Sequence, residues 1–490
     1  MPPQSPTSPA PGPAELMRTA LGVLGAMAQD VEPLGSMFAD AGHELAVVGG
    51  PVRDAFLGRT SQDLDLTTSA RPEETEAILA RWGTTWDMGR EFGTIGARRG
   101  DVVVEVTTYR TESYDPSSRK PVVAYGDSLE GDLSRRDFRI NAMAVRLPDL
   151  TFVDPFGGLS DLAAGVLRTP ASPEQSFDDD PLRMMRACRF AAQLGVDVAP
   201  EVMAAMSALA PRLAIVSAER VQAELVKMLM APAPRRGLEL FVETGLADVV
   251  LPELPAMRLE IDEHHRHKDV YAHSLTVLDQ AIDLETSAAG PVPGPDLVLR
   301  LAALLHDVGK PATRRNEPGG RVSFHHHELV GAKLARKRLK ALAFDKATTA
   351  DVTDLIALHL RFHGYGEGAW TDSAVRRYVT DAGPLLERLH RLTRADCTTR
   401  NRRKAERLAH AYDDLEKRIA ELAEAESLAS LRPALDGVAI MRILDLPPGP
   451  TVGEAYRFLM ELRLDEGELN EADAEERLRA WWAARETPRP

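Results

Sequence analysis

The hydrophobic pattern divides the chain into two parts. Up to about Val153, short β-branched runs alternate with helical stretches, whereas beyond about Pro181 apolar residues recur at helical spacing. Leu45-Ala46-Val47-Val48 reads as a strand that stops at Gly49-Gly50, and residues 51–57 read as a helix. Residues 61–66 form a short predicted strand, and Arg71-Pro72-Glu73-Glu74 opens a helix that runs to about Trp82. Residues 94–99 and 102–109 predict a hairpin around Arg99-Gly100-Asp101. In its second strand Val102, Val104 and Val106 share one face, and Val103, Glu105 and Thr107 share the other. Residues 112–127, polar with Pro, Ser and Gly, read as a mobile loop, and strand character returns over 142–153. The expected class is α+β, with an N-terminal mixed sheet and helices followed by all-α regions.

At 490 residues the chain exceeds one ordinary core. Residues 1–20, rich in Pro and Ser at the start, read as a disordered tail. The expected domains are a head over 21–165, a helical region over 166–255, a second helical domain over 256–415 and a helical C-terminal region over 416–490. The breaks fall at Pro- and Gly-rich stretches such as Leu251-Pro252-Glu253-Leu254-Pro255, and at the Glu/Ala-rich segment near 418–430. The formal charge of −15 excludes a protein that coats nucleic acid non-specifically, so any polyanion must meet local basic surface. Two cysteines, Cys188 and Cys397, make no disulfide framework and point to a reducing cytoplasm. No apolar run is long enough for a bilayer, so no membrane partner is expected. The pattern sets no oligomeric state.

Asp63 and Asp65 are one residue apart on a predicted strand, so both carboxylates share a face. Such a pair repels itself unless a cation intervenes, and Mg²⁺ takes one or two carboxylates together with substrate phosphates. Taken alone, the pair also fits a solvated edge strand. The Gly49-Gly50 turn before a helix adds backbone amides able to approach phosphate closely. Glu105 is a third acid, placed mid-strand among valines.

These residues resemble a known signature. Gly49-Gly50-Pro51-Val52-Arg53-Asp54 with Asp63-Leu64-Asp65 is similar to the motif of bacterial tRNA CCA-adding enzymes and poly(A) polymerases. Those are the class II nucleotidyltransferases of the DNA polymerase beta superfamily. The resemblance continues through Arg135-Arg136-Asp137-Phe138-Arg139-Ile140-Asn141-Ala142, Asp154-Pro155-Phe156-Gly157-Gly158, Asp179-Asp180-Pro181-Leu182-Arg183 and Ser217-Ala218-Glu219-Arg220-Val221. Asp179 stands where the family usually has glutamate, with the charge kept. The resemblance implies that Asp63 and Asp65 hold catalytic Mg²⁺ and that Glu105 completes a carboxylate triad. It implies that Gly49, Gly50, Arg53, Arg136 and Asp137 hold triphosphate and ribose, with Arg186 and Arg189 in the same nucleotide site.

Asp180 and Arg183 carry a chemical argument of their own. On a helix they would share a face and present an acceptor beside a donor. Cytosine and adenine each offer an amino group beside an unprotonated ring nitrogen, whereas guanine and uracil offer the reverse order. The competing reading makes Asp180 an N-cap ahead of Pro181.

A second constellation comprises His273, His306-Asp307, His327, His359 and Asp396 on successive predicted helices. Imidazole and carboxylate suit Mn, Fe, Ni, Co or Zn. The set resembles the HD phosphohydrolase superfamily, which implies a divalent transition metal, and in such enzymes phosphatase or 2′,3′-cyclic phosphodiesterase activity. The resemblance also implies that two further histidines can bind a second metal, a role for which His327 is favoured over His325 and His326, and His264, His265 and His267 read as a solvated loop. Arg402, Arg403 and Lys404 lie in a basic cluster suited to RNA phosphates.

The expected function is a tRNA nucleotidyltransferase that adds CCA to the tRNA 3′ end from CTP and ATP without a nucleic-acid template. The rivals are a poly(A) polymerase or A-adding enzyme and, from another class, an HD hydrolase with an inactive transferase domain.

Overall fold

The computed structural model describes residues 12–60, 63–89, 93–113, 122–259, 269–318, 321–362, 371–399, 401–426 and 432–486. It forms two compact units, residues 1–252 and 253–490. The first unit holds helices α1 (Pro13–Asp40), α2 (Gly50–Phe56), α3 (Pro72–Trp82), α4 (Leu129–Ser134), α5 (Gly158–Ala164), α6 (Pro173–Asp179), α7 (Leu182–Leu194), α8 (Pro200–Leu209), α9 (Ala218–Leu229), α10 (Pro234–Glu243) and α11 (Leu246–Val250). Its strands are β1 (Leu45–Val48), β2 (Asp63–Thr68), β3 (Thr84–Gly89), β4 (Thr94–Arg99), β5 (Val102–Thr108), β6 (Arg110–Ser113), β7 (Val122–Tyr125), β8 (Ala144–Leu147) and β9 (Thr151–Val153).

Seven strands pair in the order β3-β4-β5-β2-β1-β8-β9. Every pairing is antiparallel except β2 with β5, which runs parallel and sets Asp65 directly opposite Glu105. All four residues of β1 are buried, as its unbroken apolar run requires for a strand covered on both faces. Ala46, Val48, Tyr109, Leu129, Leu133, Ala142 and Ala144 pack into one cluster, which seats α4 against the sheet. Leu182, Met184, Met185, Cys188 and Phe190 bury the apolar face of α7.

The second unit is helical: α12 (Val270–Asp283), α13 (Leu297–Leu305), α14 (Lys310–Thr313), α15 (His327–Ala341), α16 (Lys346–Leu358), α17 (Asp372–Ala382), α18 (Leu386–Ala395), α19 (Arg402–Glu426), α20 (Gly437–Leu444), α21 (Pro450–Glu466) and α22 (Glu471–Glu486). A small hairpin, Arg315–Glu317 with Arg321–Ser323, interrupts it. Among the described residues no helix is long and apolar enough to cross a membrane.

Several sequence expectations change. Residues 13–20, read as tail, begin α1, with Pro13 at its start where a missing N–H costs nothing. Residues 1–11 lie outside the described residues. The loop expected over 112–127 is bounded by the β6–β7 hairpin, and residues 114–121 lie outside the description. Strand β3 was not anticipated; Trp86 packs on Gly96 of β4, where any Cβ would collide with the indole. The boundary placed at 415 falls inside α19, which is continuous there.

Candidate active sites in the two units

In the first unit a cavity of about 570 Å³ opens beside β2 and α7. Seven arginines line it, Arg53, Arg110, Arg135, Arg136, Arg183, Arg186 and Arg189, against four aspartates, Asp65, Asp132, Asp137 and Asp180. Gly49 and Gly50 form part of its wall. Gly49 has φ +75, a backbone conformation that favours glycine, and a Cβ there would stand 3.0 Å from Arg136 Nη1. Every nucleotide-site residue expected from sequence therefore meets at one cavity.

The arginines are held in place individually. Arg53 donates to Asp54 Oδ1 at 2.9 and 2.8 Å and to Asn141 Oδ1 at 2.6 Å. Arg186 binds Asp137 Oδ2 through Nε at 2.8 Å and Nη2 at 2.6 Å. Burial alone would raise the Asp137 carboxyl, but Arg186, Asn141 and Arg183 together hold it down at about 2. Arg189 Nε lies 3.1 Å from Glu224, and its guanidinium stacks 4.3 Å from the Phe190 ring centre.

Asp63 and Asp65 are exposed residues on one face of β2, and register places Glu105 beside Asp65 on the same face. Asp65 lines the cavity; Asp63 and Glu105 stand outside its lining. Crowding of the Asp65 carboxyl against the protein raises it above the ordinary carboxylate range; Arg136 opposes the rise and Asp63 adds to it. Glu105 is raised by partial burial, then by Asp65 and Asp63. Three acids gathered on one face carry the surplus negative charge a divalent cation relieves, so Asp63 and Asp65 fit Mg²⁺, with Glu105 adjacent.

Asp180 lies outside the helix that carries Arg183, although both line the cavity. Asp180 ends α6 and precedes α7; its Oδ1 accepts from Leu182 N at 3.1 Å and its Oδ2 pairs with Arg220 at 2.9 Å. The capping geometry is thus present. Arg183 is buried and donates to Ser176 Oγ at 2.9 Å and to the Arg135 carbonyl at 2.6 Å. Sequence reading missed Arg110, Asp132, Asn141 and Gln193 in the cavity wall. Asp132 four residues before Arg136, and Asn141 four after Asp137, were spacings that could have revealed two of them.

In the second unit His273, His306 and Asp307 bring ligand atoms within 4.8 Å of one another, and so do Asp307, His327 and His359. Asp307 belongs to both groups. Asp396 Oδ1 stands 2.9 Å from His273 Nε2 and 3.5 Å from His306 Nε2. His306, His327 and His359 each direct Nδ1 at a main-chain carbonyl three residues earlier, at 2.9, 2.8 and 2.6 Å. His273 Nδ1 meets Thr398 Oγ1 at 3.1 Å. Those contacts leave Nε2 as the inward atom, the arrangement found around bound metals. Gly309 carries no side chain because a Cβ would strike the His327 carbonyl, which lets α14 begin against α15.

The buried Asp307 Oδ1 and His327 Nε2 make no hydrogen bond. Orphaned buried ligand atoms facing one another fit a metal ion. Burial keeps His359 low, at about 4, so its imidazole is neutral and able to ligate. Of the three consecutive histidines the structure brings His327 to the cluster; His325 and His326 are exposed. Residues 260–268, with His264, His265 and His267, lie outside the described residues. Arg402, Arg403 and Lys404 are exposed at the start of α19.

The family model of the poly A polymerase head domain matches residues 45–168, and that of a probable RNA and SrmB binding site of polymerase A matches 195–257. The HD domain model matches 270–429. The A-adding tRNA nucleotidyltransferase of Deinococcus radiodurans is 34% identical over 454 residues, 90% of this chain and 96% of that protein. The chain belongs to the tRNA nucleotidyltransferase and poly(A) polymerase family. Within this family, the CCA-adding enzyme of Leuconostoc mesenteroides subsp. mesenteroides is 41% identical over 232 residues, 47% of this chain, and the match spans 56% of that relative. The crystal structure of the Bacillus stearothermophilus CCA-adding enzyme in complex with CTP has a TM-score of 0.64 at 27% identity, covering 96% of this chain and 98% of that one. The Thermotoga maritima CCA-adding enzyme complexed with tRNA shares the fold at a TM-score of 0.58 and 18% identity, over 96% and 98% of the two chains.

Proposed function

We propose that this nucleotidyltransferase adds C, C and A to the tRNA 3′ end, using CTP and ATP and no nucleic-acid template. The observation that carries the reading is the arginine-lined cavity opening onto Asp65, with Asp63 and Glu105 on the same strand face. Asp63 and Asp65 would hold Mg²⁺, which would supply positive charge to an attacking 3′-hydroxyl and a departing pyrophosphate. Arg53, Arg136, Arg186 and Arg189 bind the triphosphate, and Asp137 fixes the guanidinium of Arg186. Asp180 offers carboxylate lone pairs to the exocyclic amino group of cytosine or adenine, and Arg183 donates to the neighbouring ring nitrogen. GTP and UTP place like groups against both, which rejects them.

Residues 166–255 form the base-reading and RNA-binding region of this proposal, and residues 256–415 form the HD region. His273, His306, Asp307 and Asp396 would hold one transition metal, and His327 and His359 with Asp307 would hold a second. Such metals activate water against phosphate esters, which supports an added phosphohydrolase activity. Arg402, Arg403 and Lys404 contact the tRNA backbone, and residues 416–490 complete the helical region. Two unpaired cysteines and the proposed substrates support a cytoplasmic location.

The near-full-length match to an A-adding enzyme favours a second reading, addition of the terminal A alone. Incubation with tRNA ending before CCA, with tRNA ending in CC, and with each nucleotide mixture separates the two. CCA on the first substrate is the expected product. Extension of the CC-ended tRNA only would establish A addition, and oligo(A) tails would exclude both.

A further inference from the structure

We propose that Asp132 is a positioning residue, one that locks Arg136 in place and joins the carboxylate strand to the nucleotide cavity. The inference rests on the transferase reading above. Asp132 precedes Arg136 by four residues, a spacing that brings the two side chains together across one helical turn. Its carboxylate is buried, with the residue 4% exposed, yet it reaches the cavity wall.

Three groups from three elements meet this carboxylate. Arg136 Nη2 donates to Oδ2 at 3.1 Å, and Thr67 Oγ1 stands 3.3 Å from the same oxygen. The Arg110 backbone N–H, at the start of β6, donates to Oδ1 at 3.3 Å. Thr67 lies two residues beyond Asp65 on β2, so it continues the face that carries Asp63 and Asp65. The other terminal nitrogen of Arg136, Nη1, closes on the Gly49 turn. One carboxylate thus spans from the acid strand, through an arginine, to the turn that opens α2.

Arg136 has two acids within its influence. It is the foremost charge acting on Asp65, and it is hydrogen-bonded only to Asp132 of the two. Asp132 therefore keeps the guanidinium from turning toward Asp65 and occupying the place of a cation there. Held in this way, Arg136 presents fixed donors to an incoming triphosphate and loses little rotational freedom on binding.

The test is a two-background comparison of CTP binding, measured by calorimetry with Mg²⁺ and without tRNA, so that no transfer occurs. D132N is expected to weaken CTP binding about tenfold in the wild-type background and less than about twofold in the R136A background, because contacting residues couple by energies of that order. Equal factors in both backgrounds, or unchanged affinity in the wild-type background, would overturn the proposal. Thermal melting establishes that each variant is folded. Should D132N not fold, D132S enters the same comparison with the same expected factors. Failure of the unaltered protein to bind CTP would overturn the transferase reading itself and the proposal with it.

Discussion

Around the cavity of the first unit, arginines outnumber aspartates seven to four, and the wall is open. At the cluster of the second unit, four imidazoles meet Asp307 and Asp396 at a buried point where ligand atoms already converge. The first arrangement has an arginine-rich lining and a face of three acids, of which Asp65 also lines the cavity, so it is completed by a polyanion that brings its own cation. The second is buried and holds two carboxylates among four imidazoles, so a small cation alone completes it. The two candidate sites on one chain thus differ in what a ligand has to bring and what the protein itself provides.

The largest effect that would sharpen this contrast lies at the acid strand. D65N is expected to lower nucleotide incorporation into tRNA by roughly a thousandfold, the scale set by loss of metal-borne charge stabilisation. Metal content at the histidine cluster should not change. A parallel loss at both sites would break the comparison.

The converse change is D307N. Asp307 belongs to both ligand groups, so its loss should weaken transition-metal affinity by roughly a hundredfold or more, since even outer-shell changes cost about 10–100-fold. Elemental analysis after dialysis reads the metal, and tRNA extension should proceed at the unaltered rate.

A smaller effect concerns pH. The Asp137 carboxyl is depressed in the folded protein, to about 2, by Arg186 and its hydrogen-bond donors acting against burial. A depressed carboxyl contributes stability that is complete above its ordinary value and is lost as pH falls through the folded value. The contribution is about 2 kcal/mol and fades between about pH 4 and 2. R186A should therefore unfold at lower denaturant than the unaltered protein near neutrality, with the gap narrowing as pH falls through that window.

The smallest change belongs to the surface. R402A, R403A and K404A are expected to weaken tRNA binding by a few-fold each and to lower the salt dependence by about one ion per residue, with CTP affinity unchanged. Arg402 already pairs with Glu406 at 2.9 Å while 91% exposed, so it should show the least effect of the three.

Much of the first site was legible because its residues follow local rules. The Gly49-Gly50 turn, the Asp63/Asp65 alternation and the valine pattern around Glu105 all express strand and turn geometry, and β1, β2, β4 and β5 follow from them. What sequence could not supply was tertiary. Strand β3 depends on Trp86 lying over Gly96, a contact between strands. Asp132 meets Thr67 of the seven-stranded sheet and the Arg110 backbone of the β6–β7 hairpin, contacts between elements that no local pattern reveals. For Asp180, the cap and the base-pairing acceptor are the same side chain, and the pairing with Arg220, forty residues away, was invisible locally. The histidines were legible as an ordered set, but Asp307 as a member of two groups emerged only when four helices were brought together.

The parallel register of β2 and β5 carries one more consequence. Glu105 sits beside Asp65 because the strands are in phase, with Val104 and Val106 opposite Leu64 and Leu66. The sheet therefore has a reading frame. A single residue inserted into β5 would bring a valine beside Asp65 and turn the glutamate into the apolar interior. Length variation in this part of the molecule is thus confined to the connections between strands, while within β2 and β5 even a one-residue change alters the chemistry along with the geometry.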